Sequence, residues 1–320
     1  MIYDCAIIGG GPAGLNAALV LGRARRNVAL FDHNKPRNAV THASHGFLTR
    51  DGVTPAEFRR VAYEEVLKYP SVEHHPVEVT DIRKLNAGFL ISTHEGEQIQ
   101  ARKLNAGFLI STHEGEQIQA RKLLFASGLQ ETLPDIPGVR NLYGKSLFYC
   151  PYCDGWELRD KSLFVLFDHP RVFHLAKLLY NWSRDLIVCT NGPGILTNEQ
   201  KQILASRDIV VSEQSVSAFH GSDGKLRLVE FTDGSRIERT GGFIAPKWVP
   251  RAGFQQELGY AVNDLGGILT DEMGKSTVPG LFAAGEVTTG FPSQLIVAAA
   301  AGSIAAASIN LELTEEAFSS

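Results

Sequence analysis

Two cysteines separated by two residues and followed at once by an acid, Cys150-Pro151-Tyr152-Cys153-Asp154-Gly155, are the residues of this chain best suited to chemistry. Across one turn of helix, two such thiols can close and reopen a small disulfide ring at little strain, and so carry two electrons as a pair. Lys145 to Tyr149 predicts a strand and Asp154 to Arg159 something helical. The thiols then fall at a helix start, where the macrodipole favours a thiolate and Pro151 suits the first turn. A structural zinc site is the competing use of the pair. It needs four ligands, and the other two cysteines, Cys5 and Cys189, each stand alone in an apolar run. No metal site is expected, and Cys5 and Cys189 read as small buried residues.

The start of the chain supplies a second chemical feature. Tyr3 to Ile8 is a β-type run that leads into Gly9-Gly10-Gly11-Pro12-Ala13-Gly14 and then a helical pattern from Leu15 to Leu21. Strand, Gly-x-Gly-x-x-Gly and helix come in the order a dinucleotide fold requires. The glycines admit backbone close to a pyrophosphate, and the helix N–H groups point at it. A second strand, Asn27 to Phe31, ends at Asp32, placed to hold ribose hydroxyls. Further on, Arg121 to Gly128 reads as a buried strand ending in a small-residue turn that passes close under a dinucleotide. Thr277 to Glu286 reads as a strand ending in Gly285 and an acid, followed by Gln294 and an Ala-rich helix. A carboxylate there can accept hydrogen bonds from a polyol, and the helix start can face the negative edge of a reduced flavin.

Between these features, Asn38 to Gly52 is a polar, Gly-punctuated loop containing Ser44-His45-Gly46-Phe47, where His45 lies beside a flavin ring or in solvent. Pro55 to Lys68 has helical spacing. Residues 83–101 recur unchanged at 102–120, each copy reading as a hairpin about a four-residue turn, 94–97 in the first. A perfect tandem copy is a recent duplication or an artefact of sequence handling rather than a solenoid, and the extra hairpin is expected at a sheet edge or looped out.

A second strand-helix-strand unit runs through Lys161–Phe167, Phe173–Trp182 and Leu186–Cys189. Its strand-to-helix turn, Asp168-His169-Pro170-Arg171, contains no glycine. Side chains and a like charge stand where a pyrophosphate must meet bare backbone, so this unit is expected to keep the shape and lack the nucleotide.

With 320 residues, net charge −4 and 44% hydrophobic residues, the chain can form two domains, and it has no basic run suited to nucleic acid. Leu295 to Ile309 falls short of the roughly 20 residues a membrane crossing needs and reads as a packed internal helix. The first residues run straight into a strand, so a cytoplasmic location is expected.

Taken together, these motifs resemble the low-molecular-weight thioredoxin reductase family over essentially the whole length. Gly9 to Gly14 resembles its FAD pyrophosphate loop, Asp32 its ribose acid, and Ala126-Ser127-Gly128 its Ala-Thr-Gly turn. Thr277 to Glu286 resembles its second FAD motif, with Glu in place of Asp. Cys150, Cys153 and Asp154 match its active site, and the Pro-Tyr pair and the Ser44 to Phe47 loop are similar to the branch containing fungal dithiol oxidases. The resemblance implies an α/β fold of two Rossmann-like domains. An FAD domain (1–141 and 247–320, with the repeat at 83–120) is split by a thiol-bearing domain (142–246). It implies catalysis by Cys150, Cys153 and Asp154, with Cys153 facing the flavin and Cys150 attacking the partner. It further implies that FAD is held by Gly9, Gly11, Pro12, Ala13, Gly14, Asp32, Asn38, His45, Val79, Ser127, Gly128, Gly285, Glu286, Gln294 and Leu295. The second Gly-rich loop and the basic cluster that bind NADPH in the reductases are missing, so NADPH is doubtful as the donor and ferredoxin is an alternative. The expected partner is a thioredoxin-like protein or a small dithiol or disulfide, and the expected assembly a homodimer. A dithiol oxidase using O2 and a non-catalytic flavin sensor are the alternative activities.

Overall fold

The computed structural model describes all residues except 1, 86–88, 93–97, 102–106, 113–116, 252 and 320, with backbone alone at 89–92 and 98–101. The described chain forms two compact units: Met1–Arg37, Ala56–Gln130 and Trp248–Ser320 in one, Asn38–Pro55 and Glu131–Lys247 in the other. The partition differs from the sequence expectation in two ways: the boundary comes earlier, and the Asn38–Pro55 loop joins the second unit.

The first unit begins with β1 (Ile2–Ile8), α1 (Pro12–Arg23), β2 (Val28–Phe31), α2 (Pro55–Val66), β3 (Val72–His75) and β4 (Val79–Leu85). A separate antiparallel ribbon follows, β5 (Phe89–Ser92) with β6 (Gln98–Ala101), and then β7 (Gly107–Thr112) and β8 (Gln117–Phe125). The sheet order is β3-β2-β1-β8-β7-β4, parallel from β3 to β8 and antiparallel beyond. Ile7, Val28 and Leu30 are fully buried, as strands covered on both faces require, which explains their unbroken apolar runs. Of the two identical copies, the second occupies the sheet. Only that copy continues into Leu123-Leu124-Phe125, the stretch that pairs with β1. The first copy gives Arg83 to Leu85 to the end of β4 and forms the ribbon apart from the sheet. Its turn, residues 94–97, lies outside the described residues.

The second unit starts in β9 (Leu129–Thr132) and carries α3 (Val139–Leu142), β10 (Leu147–Phe148), α4 (Pro151–Asp154), β11 (Leu163–Leu166), α5 (Val172–Leu179), β12 (Leu186–Cys189), α6 (Asn198–Ala205) and β13 (Val210–Ser212). A meander of β14 (Val216–Ser222), β15 (Lys225–Phe231) and β16 (Arg236–Glu238) precedes β17 (Gly241–Ile244). The parallel sheet runs β10-β17-β11-β12-β13. Val165, Val188 and Phe243 are buried between the sheet and α5. The Asn38–Pro55 loop belongs here because it packs on this unit: a Cβ on Gly144 would meet the Val40 carbonyl oxygen at 2.5 Å.

The chain returns through β18 (Lys247–Pro250), α7 (Gln255–Leu258), β19 (Leu281–Ala283), α8 (Glu286–Thr289) and α9 (Leu295–Ser319). The expected strand from Thr277 shrinks to three residues because Pro279 and Gly280 turn the chain first, Gly280 with φ +80°. β19 pairs in parallel with the end of β8. At 25 residues α9 is longer than its apolar stretch and long enough to cross a membrane by length and composition. In this unit it is a core helix, with Ala305, Ala306, Ile309 and Leu313 buried against α1 and the sheet. Its last turns are fixed by Glu312 and Glu316, which accept from the buried Lys122 Nζ at 2.7 and 2.6 Å.

Candidate active site

In the second unit, β10 delivers the chain to Cys150, whose extended backbone (φ −103°, ψ 112°) makes it the N-cap of α4. Pro151 follows at the first helical position, where its fixed φ helps and its missing N–H costs nothing. The N–H groups of Cys153 and Asp154 both donate to the Cys150 carbonyl at 3.2 Å, closing the turn that sets the two thiols together. The cysteines are bridged, with Cα atoms 5.3 Å apart. The expected helix from Asp154 to Arg159 is absent. The helix comes earlier and ends at Asp154, and successive i to i+3 bonds from Leu158 to Gly155 and Arg159 to Trp156 carry the chain onward. Gly155 is required there, since a Cβ would stand 2.4 Å from the Pro151 oxygen and 2.9 Å from the Trp182 ring. Tyr152 and Trp156 are exposed beside the disulfide.

Burial pushes the Asp154 carboxyl up to about 7, the Glu157 charge adds to that rise, and His45 opposes it. A group poised near neutrality can both give and take a proton, which an ordinary aspartate cannot. Cys5 and Cys189, by contrast, are buried, and burial raises both thiols far above reactivity. Among the described residues, no cluster of three potential metal ligands exists.

The dinucleotide motifs lie in the first unit. Gly9 adopts φ +112° and sits where a Cβ would be 2.3 Å from the Ala126 oxygen, so β1 and the turn after β8 meet backbone to backbone. A Cβ on Gly14 would likewise stand 1.9 Å from the Gly9 oxygen. A Cβ on Gly11, the N-cap of α1, would meet nothing within 4 Å, and no side chain caps the helix. Pro12 and Ala13 form its first turn, leaving N–H groups directed at open space, the setting a pyrophosphate needs. Gly285, with φ +78°, brings the second motif against Ala13, where a Cβ on Gly285 would stand 3.0 Å from the Ala13 Cβ.

Asp32 is buried at the end of β2, and its Oδ2 accepts from Arg59 Nη2 at 2.6 Å and Tyr63 Oη at 2.7 Å. Burial pushes its carboxyl up, but these hydrogen bonds and the Arg59 charge prevail and hold it below the ordinary value. Nearby, the buried Nε2 of His74 has no hydrogen-bond partner. Glu286 Oε1 accepts from Arg37 Nη2 at 2.7 Å and from the Ser293 N–H at 2.9 Å, and the Ser293 Oγ is buried without a partner. An open helix N-terminus, a buried acid at the end of β2 and two orphaned buried polar atoms fit a dinucleotide.

The remaining predicted contacts divide. Ser127 and Gly128 form the turn after β8, tied to the Arg251 backbone through Ser127 Oγ and the Gly128 oxygen. Gln294 precedes α9 and Leu295 opens it, close to Glu286 through Ser293. Val79 opens β4, four residues past His75, whose ring stacks on Phe31. Asn38 and His45 belong to the second unit, where His45 lies against Asp51 and Glu157. Sequence reasoning missed Arg59, Tyr63 and Arg37. Arg59 and Tyr63 stand four apart on α2, a spacing that puts them on one face.

The model of the pyridine nucleotide-disulphide oxidoreductase family matches residues 3–175 and 184–302. A probable thioredoxin reductase of Arthroderma benhamiae is 30% identical over 98% of this chain and 81% of its own length. The crystal structure of a putative thioredoxin reductase TrxB from Bacillus anthracis superposes with a TM-score of 0.87 at 43% identity, covering 98% of this chain and 99% of that one. That of HlmI gives 0.88 at 36% identity, over 99% and 94%.

Proposed function

Because the chain belongs to the pyridine nucleotide-disulphide oxidoreductase family, and within it resembles the low-molecular-weight thioredoxin reductases, we propose that this enzyme exchanges two electrons between FAD and a partner disulfide through Cys150 and Cys153. The observation that carries the reading is the bridged pair at the N-cap of α4, with a carboxyl poised at about 7 in the next position. FAD would be held by the Gly9 to Gly14 loop, Asp32 and the Glu286 to Leu295 segment, and when bound it supplies two-electron exchange with a disulfide.

In the direction of partner reduction, two electrons and two protons open the Cys150–Cys153 bond to a dithiol. The Cys150 thiolate attacks the partner disulfide and forms a mixed disulfide. Cys153 then attacks the Cys150 sulfur, restoring the bridge and releasing the partner as a dithiol. Asp154 delivers a proton to the leaving thiolate and regains it in the next cycle. A thioredoxin-like protein is the partner that the relatives' names suggest.

The electron donor is a species other than NADPH. At the turn between β11 and α5, His169 Nδ1 accepts the Arg171 N–H at 3.1 Å, so the turn fills itself with a side chain where a nucleotide would need backbone donors. Beyond β12, Glu213 accepts from the Gly194 N–H and from Lys201. A carboxylate there repels the 2′-phosphate, which calls for arginines. To test the thiol roles, Cys150→Ser and Cys153→Ser are incubated with an oxidised and a reduced thioredoxin. Cys153→Ser should trap a mixed disulfide through Cys150, and unchanged turnover in either variant would discard the assignment.

A further inference from the structure

His45 stands between two carboxylates from different elements. Its Nδ1 is 3.5 Å from Asp51 Oδ1 and its Nε2 3.6 Å from Glu157 Oε1. The loop that carries it is closed on itself. The Ser44 N–H donates to the Val53 oxygen at 2.7 Å, the Gly52 N–H to the Ser44 oxygen at 3.0 Å, and the Gly46 N–H to Asp51 Oδ1 at 2.9 Å. Asp51 is thus fixed on one side of the ring, and Glu157, three residues past Asp154 in the turn behind the redox helix, lies on the other. A neutral imidazole would present a lone pair to one of these carboxylates, whereas the imidazolium offers an N–H to each.

We propose that His45 is a positioning residue of the thiol chemistry: set between Asp51 and Glu157, it steadies the turn behind the redox helix and offsets the Glu157 charge at Asp154. The inference rests on the reading of Asp154 as the proton carrier. The charged groups acting on Asp154 are Glu157, which raises its carboxyl, and His45, which lowers it. The bridged sulfurs beside it carry no charge. His45 and Glu157 therefore act as opposed levers on one acid, and together set the pH at which it parts with its proton. A histidine with only a packing role would have no such sign.

The test follows Asp154 itself, by carbon-13 NMR of the oxidised protein labelled at the aspartate carboxyl, with its resonance assigned by its loss in Asp154→Asn. In His45→Asn the midpoint should move to higher pH and in Glu157→Gln to lower pH. His45→Lys, which places a cation at the same position, should return it toward that of the unaltered protein. Midpoints that stay in place, or that move in the same direction in His45→Asn and Glu157→Gln, would overturn the role of His45. If Asp154 of the unaltered protein titrates near the ordinary 3.8, the proton-carrier reading fails first and takes this inference with it.

Discussion

Gly302 of α9 lies against the Ala13 carbonyl of α1, so close that a Cβ on Gly302 would stand 2.0 Å from that oxygen. The two helices that carry the two dinucleotide motifs are therefore locked at the first turn of α1, the turn assigned to the pyrophosphate. Gly302→Val should separate the helices, lower the Tm and release flavin on desalting. A variant that retains flavin with an unchanged Tm would show that this contact does not shape the cradle.

The Arg59–Asp32 pair makes a prediction in acid. Asp32 is held below its ordinary value of 3.8. A depressed carboxyl contributes stability that is present above the unfolded value and lost as pH falls through the folded one. Thermal unfolding below about pH 4 should thus lose stability steeply in the unaltered protein and less steeply in Asp32→Asn.

Asp154 predicts the opposite sign. Its carboxyl is raised to about 7, so the associated stability is complete below the unfolded 3.8 and lost as pH rises through 7. Asp154→Asn should be the more stable protein at pH 8, by roughly 2–4 kcal/mol at most, with little difference at pH 4. The same variant should turn over poorly. A gain in stability with a loss of activity is the expected signature of a strained functional group.

The repeat predicts an unusual tolerance. Phe108 of β7 is 1% exposed, and truncating a buried phenylalanine to alanine ordinarily costs about 3–5 kcal/mol. The first copy carries the same sequence, with Phe89 at the matching position, so it can take the place of β7 beside β4 while the loop shifts onward. Phe108→Ala should cost much less than that range in urea unfolding, and Phe89→Ala with Phe108→Ala the whole of it. Equal costs for the single and double variants would show the copies to be inequivalent.

Features governed by short-range rules were legible in the sequence. β1, the Gly9 to Gly14 loop and α1 follow one another as strand, turn and helix, and β12 falls on the run Leu186 to Cys189 because a strand buried on both faces is apolar throughout. α6 was overlooked, although Thr197 and Gln200 form the capping box that marks its start. The β14–β15 hairpin hid its alternation behind register shifts at Val216/Ala218 and His220/Gly221. α9 continues past its apolar stretch to Ser319, and Glu312 and Glu316 of that extension are both held by Lys122, a partner distant in the sequence. Arg37 and Glu286 pair across 249 positions, and His45 meets Glu157 from a loop far upstream. Contacts of that span leave no local pattern; only the folded chain brings them together.

The account depends on electrons reaching the thiols from a source other than a pyridine nucleotide. Anaerobic stopped-flow mixing of the flavin-loaded protein with NADPH, and separately with dithiothreitol, measures this directly at the flavin absorbance. Bleaching by the dithiol that disappears in Cys150→Ser with Cys153→Ser, beside a flat trace with NADPH, is the predicted result. Rapid bleaching by NADPH would contradict it.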